Sequence, residues 1–119
     1  MTEDKNKKYD LSERTSEFGE KIIAFAKKIN KNVVTLKIIE QLVSAGTSVG
    51  ANYSEADDAE SKKDFRHKIG ICKKEARETK YWLRMVIAAS PELAEEAKTL
   101  SIEAKELNLI FNAIFSKLK

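Results

Sequence analysis

Cysteine, histidine, tryptophan and proline occur once each in this chain and glycine four times, and no apolar run approaches the roughly 20 residues of a membrane span. The lone cysteine, Cys72, rules out an intramolecular disulfide and suits a reducing compartment. Strand-rich sandwiches need a turn every 8–12 residues or so, and one proline with four glycines supplies almost none of them. The opening segment, Met1 to Lys8, is polar and has no apolar h-region, so it does not read as a signal peptide. Residues 1–9 are expected to form a frayed tail, and the chain to be cytoplasmic.

Catalytic chemistry is as thinly supplied. His67, the only histidine, sits between Arg66 and Lys68 with no orienting carboxylate or nucleophile implied nearby, so a triad is not expected. One His, one Cys and no Glu-x-x-His pair argue against a metal centre in a bundle core. Gly46-Thr47-Ser48-Val49-Gly50 lacks the Lys-Ser/Thr ending of a phosphate-binding loop and lies inside a helical pattern. No cofactor, no metal and no enzymatic activity are expected.

What is present is helix. The 119 residues make one domain, long enough to bury roughly two-thirds of its unfolded surface without a staple. Breaks at Asn30-Lys31-Asn32, around Asp57 to Ser61 and at Ser90-Pro91 divide it into four stretches with apolar or small residues at alternating steps of three and four. The spacing predicts helices over about 10–30, 33–57, 61–89 and 91–118, forming one domain over 10–119. Asp10 should cap the first, with Glu13 as capping-box partner, and its stripe is Leu11, Thr15, Phe18, Ile22, Phe25 and Ile29. The second carries Ile38, Leu42, Ala45, Val49, Asn52 and Ala56. The third opens on Ser61 as N-cap with Asp64 at N3 and runs Phe65, Ile69, Cys72, Ala76, Thr79, Leu83 and Val86, where Cys72 reads as a small core residue. The fourth takes Ser90 as cap and Pro91 at N1, then Leu93, Ala97, Leu100, Ala104, Leu107, Phe111, Ile114 and Leu118. A repeat nearer 3.5 than 3.6 residues implies a left-handed supercoil, and short breaks force antiparallel neighbours. The fold class is therefore an all-α, left-handed, up-down-up-down four-helix bundle.

Two features exceed a plain bundle. Gly46 and Gly50, four apart in the run Ser44 to Ala51, each cost up to about 1 kcal/mol against Ala in a helix interior, so a close approach must offset them. That approach lies either inside the monomer or at a subunit contact. Apolar residues also spill outside the stripes: Ile102, Leu109, Ile110, Ala113 and Phe115 on the fourth helix, and Ile23, Val33, Val34, Ile39, Ile71, Tyr81, Trp82 and Ile87 elsewhere. A four-helix monomer needs about three apolar positions in seven, so the surplus implies self-association.

Charge is uneven. Lys and Arg number 22 against 19 Asp and Glu, yet Lys62 to Arg84 holds nine cations and three carboxylates, leaving the rest net acidic. Lys62, Arg66, Lys73, Arg77, Lys80 and Arg84 follow helical steps and line one face, a candidate surface for nucleic-acid phosphates or an ordinary solvated face. Glu55 and Glu75 lie close to apolar positions and read either as surface charges or as members of register-fixing ion pairs, with Arg14, Lys68 or Arg77 as partner.

The residues also carry a resemblance. Ser44-Ala45-Gly46-Thr47-Ser48-Val49-Gly50-Ala51-Asn52-Tyr53-Ser54-Glu55-Ala56 resembles the hallmark segment of the bacterial four-helix bundle proteins known as 23S rRNA intervening-sequence proteins. Ser61 to Lys68 and Lys74 to Leu83, with Trp82, are similar to its second and third signatures, and Arg14-Thr15 with Phe18 to its entry motif. The likeness covers about Tyr9 to Lys119; one departure is that Asn30-Lys31-Asn32 stands where many relatives carry a proline between the first two helices. It implies an all-α bundle assembled as a ring, typically a homopentamer, with no enzymatic activity. It also implies genes within large-subunit ribosomal RNA inserts and, in a distant branch, nucleic-acid-binding accessory proteins of diversity-generating retroelements. The expected partners are a second copy of the chain, RNA or DNA, and a protein partner; no membrane is expected.

Overall fold

The structure is a computed structural model that describes residues 10–118; the tail expected at 1–9 lies outside the described residues. Among the described residues four helices follow one another: α1 (Leu11–Ala26), α2 (Thr35–Asp57), α3 (Lys62–Ala89) and α4 (Ala94–Lys117), with a 3₁₀ turn over Pro91–Leu93. The described residues contain no strand.

Local chemistry sets most boundaries. Asp10 Oδ1 accepts the Glu13 backbone N–H at 3.1 Å, and Ser61 Oγ accepts that of Asp64 at 3.0 Å, so both expected N-caps form. Asn32 ties the α1–α2 turn in place of the proline of many relatives. Its Oδ1 accepts the N–H groups of Val34 and Thr35, while Thr35 Oγ1 accepts the Asn32 N–H and donates to the Asn30 carbonyl. Two boundaries fall three or more residues inside the expected ones, and α2 begins at Thr35, two residues after the expected 33. α1 ends at Ala26, because Lys28 and Ile29 turn back onto the carbonyls of Phe25 and Ala26; Ile29 nevertheless stays buried. α4 begins at Ala94, not Pro91. Ser90 is buried and makes no side-chain cap; its carbonyl accepts the Leu93 N–H at 2.9 Å and closes a 3₁₀ turn first.

Contacts across each seam pair residues in opposite chain order: Gly46 with Ile22 and Gly50 with Thr15, Glu55 with Lys68 and Val49 with Cys72, Gly70 with Phe115 and Lys73 with Asn108. Neighbours are therefore antiparallel. α1 packs on α2, α2 on α3 and α3 on α4, whereas α1 and α4 approach each other sparsely. The expected stripes form the core, with Phe18, Ile22, Phe25, Leu42, Val49, Ile69, Leu83, Leu107 and Phe111 fully buried. Thr15 and Thr79 belong there despite their hydroxyls, each donated to the carbonyl four residues back, at 2.6 and 2.7 Å.

The close approach demanded by Gly46 and Gly50 is between α1 and α2 of the same chain. A Cβ at Gly46 would stand 2.8 Å from the Ile22 side chain, and one at Gly50 would stand 3.2 Å from the Thr15 carbonyl oxygen. Of the apolar surplus, Ile39, Trp82, Ile87 and Phe115 pack against the core. Ile23, Val33, Val34, Tyr81, Ile102 and Leu109 stay exposed, joined by Leu36.

Candidate functional site

The six cations of α3 lie on the side that turns toward α4. There the two helices enclose three open clefts along one line. One of about 380 Å³ is bounded by Lys62, Lys63, Arg66, Lys117 and Leu118. The largest, about 520 Å³, has Lys73, Lys74, Arg77 and Lys80 on α3 and Lys105, Asn108, Leu109 and Asn112 on α4. The third, again about 380 Å³, is lined by Arg77, Lys80, Tyr81, Arg84 and Ile87 facing Lys98 and Ser101. Among the described residues no carboxylate borders any of the three. From Lys62 to Arg84 the trough runs roughly 33 Å at the helical rise.

The structure brings together all six predicted cations and adds a second row that α3 alone does not reveal: Lys98, Lys105 and Lys117 of α4. Its signal is a heptad step between Lys98 and Lys105, beside an acidic heptad step between Glu96 and Glu103. α4 divides its charge accordingly. Glu103 and Glu106 receive Arg14 of α1 at 2.7 and 2.8 Å, and Glu96 receives Lys28 at 3.0 Å. Hydrogen bonds to Glu103 raise the already high Arg14 basicity against the cost of burial. Three of the four acids of α4, Glu96, Glu103 and Glu106, thus close the sparse α1–α4 seam, and its lysines are left to the α3 side.

Within the trough the cations are held apart from acids. Among the described residues, ion pairs join Arg14, Lys28 and Lys68 to glutamates, and none engages a stripe cation. Arg66 instead lies with its guanidinium 3.7 Å over the Phe115 ring. Lys73 Nζ stands 4.7 Å over the same ring and donates to Asn112 Oδ1 at 3.2 Å, while Asn108 Nδ2 donates to the Lys73 carbonyl at 2.7 Å. Arg77, Lys80 and Arg84 are exposed.

The remaining candidates are scattered. Glu55 accepts Lys68 Nζ at 2.6 Å on the α2–α3 seam, the ion-pair alternative, though Glu55 is largely exposed. Trp82 is half-buried against the core with Tyr81 edge-on at 5.1 Å. His67 is exposed, and Cys72 is fully buried with its thiol pushed up to about 12 by burial. No group of three His, Cys, Asp or Glu suited to a metal occurs among the described residues. No helix there is long and apolar enough to cross a membrane.

Glu75 has no ion-pair partner among the described residues. Burial raises its carboxyl pKa above the ordinary 4.5, Glu78 adds to the rise, and Lys74 opposes it. The fold therefore favours the protonated form. Its stabilising contribution is complete below the unfolded pKa and is lost as pH climbs through the raised folded value. Glu75→Gln is expected to raise the denaturation midpoint at pH 7 and to leave it nearly unchanged at pH 4. Equal or lower stability at pH 7 would show that an ionised Glu75 is compensated.

Three comparisons bear on identity. The family model of the 23S rRNA-intervening sequence proteins matches residues 7–113. Among solved structures, a protein with unknown function from the S23 ribosomal protein family of Bacteroides thetaiotaomicron superposes with a TM-score of 0.78. It is 30% identical, over 88% of this chain and 97% of that one. No curated protein is significantly similar in sequence. With nearly its whole length matched by the model and the same bundle in a 30% identical relative, the chain belongs to the 23S rRNA-intervening sequence protein family.

Proposed function

We propose that this protein binds the phosphate backbone of RNA or DNA along the α3–α4 trough, without chemistry of its own, as a homo-oligomer that repeats the trough. The observation that carries this reading is the trough itself: two rows of lysine and arginine from different helices, with no carboxylate from the described residues on its walls. Opposed cation rows focus potential where one helix face would only be solvated. The ribosomal names of the family and of its solved relative favour RNA, in the cytoplasm. The ring implied by the family resemblance, a homopentamer, would present five such troughs and multiply a modest single-site affinity.

The test is a salt titration of binding to structured RNA, with the assembly mass recorded on the same sample. If about six phosphates are neutralised, affinity should fall roughly a thousand-fold between about 50 and 200 mM salt. No binding at low salt by folded protein would overturn the reading. It would favour an adaptor role, for which Val33, Val34 and Leu36, exposed together before and at the start of α2, are the specific observation.

A further inference from the structure

Phosphate binding needs cations only, yet two flat groups stand among them. Near the α2–α3 turn, Arg66 is stacked 3.7 Å over Phe115 and lines the first cleft. Among the described residues its buried Nε has no hydrogen-bond partner and no acid pairs with it, so of these the Phe115 ring holds the guanidinium. Phe115 is seated in turn on Gly70, where a Cβ would come within 3.0 Å of the ring. At the opposite end, Tyr81 is 54% exposed on the wall of the third cleft. Trp82 sets its ring by an edge contact at 82°. Along α3 these two platforms lie roughly 22 Å apart.

We infer that the trough takes an unpaired strand, with one base stacked on Tyr81 and another on the Arg66–Phe115 pair; this rests on the nucleic-acid reading above. Stacking on a side chain needs a free base face, and in a duplex those faces are already covered. Width points the same way. Lys73 meets both Asn108 and Asn112 directly, so α3 and α4 are in contact. Their axes then stand roughly 8–10 Å apart, with the two cation rows along the two sides of one narrow groove. That admits one sugar–phosphate chain between the rows and leaves a duplex perched on the rims. The exposed Leu109, on the wall of the middle cleft, extends the apolar footing for bases between the two platforms.

The deciding experiment compares a pyrimidine RNA strand of about a dozen nucleotides with the duplex it forms with its complement, at one salt concentration, against wild type, Tyr81→Ala, Tyr81→Phe and Arg66→Lys. The strand should bind at least about ten-fold tighter than the duplex, although it carries half the phosphates. Tyr81→Ala should weaken the strand about ten-fold and leave the duplex unchanged, with Tyr81→Phe restoring wild-type affinity. Arg66→Lys keeps the charge but removes the plane, and should weaken the strand several-fold. Equal or tighter duplex binding, or a strand indifferent to Tyr81→Ala, overturns the unpaired-strand inference while backbone binding stands. No salt-sensitive binding of either probe overturns both.

Discussion

Reversing Arg77, Lys80, Arg84 and Lys105 to glutamate is expected to weaken nucleic-acid binding by at least about a hundred-fold at physiological salt. Each phosphate neutralised by a cation releases condensed counterions, so four lost contacts should flatten the slope of log K against log salt by roughly three units. Four carboxylates in the same trough then repel the backbone they replaced contact with. The fold should survive, because all four side chains are exposed and none pairs with a carboxylate among the described residues. The matched control reverses Lys21, Lys27, Lys31 and Lys37, exposed lysines outside the three clefts, with the same change of net charge. Binding lost in the first protein and retained in the second places the site in the trough. Equal losses in both would reduce the interaction to net charge, and no loss in either would clear the trough of a role.

That trough was half legible in the sequence, for a reason that lies in helix geometry. Lys62, Arg66, Lys73, Arg77, Lys80 and Arg84 share one face of one helix, which periodicity exposes directly. Their partners on α4 are interleaved with glutamates, and a local charge count over Glu95 to Glu106 averages to acidic. Only the docking of α4 between α1 and α3 sorts Glu96 and Glu103 to one side and Lys98 and Lys105 to the other. The stacking of Arg66 on Phe115 was hidden in the same way. Phe115 reads as surplus apolar surface until Gly70 is seen to give it a seat 45 residues away in sequence.

The core was plain for the opposite reason. A stripe such as Phe18, Ile22 and Phe25 must be buried whatever it meets, and the three- and four-residue steps name it without reference to a partner. Caps with a short side chain three residues before an N–H, at Asp10 and Ser61, were equally local. Ser90 failed as a cap although its sequence context is as good. The buried α3–α4 corner closes on its backbone carbonyl, and a single-turn 3₁₀ segment takes up the entry that Pro91 begins. Propensity proposes such a boundary, and packing at the corner decides it.

The glycines of the α1–α2 seam separate two effects of opposite sign, and here large changes in stability are expected. Gly19→Ala should stabilise the protein by up to about 1 kcal/mol. A Cβ there meets Gly46 and Thr47 at 3.6 Å, an ordinary contact, while Ala recovers the helix propensity that Gly forfeits. Gly46→Leu should destabilise it by about 3 kcal/mol or more, lowering Tm by roughly 10–20 °C. Its Cβ alone would meet Cγ2, Cγ1 and Cβ of Ile22 at 2.8, 2.9 and 3.0 Å. Ile22 is fully buried and cannot swing aside, so the helices themselves must part. α1 has little else to hold it: it meets α4 sparsely, and the Arg14 and Lys28 ion pairs across that seam are partly exposed. Thermal denaturation of the two variants beside wild type reads both signs in one experiment. A Gly46→Leu protein as stable as wild type would mean that α1 can withdraw from α2 at no cost, and the small-residue run would then owe its presence to a contact between subunits.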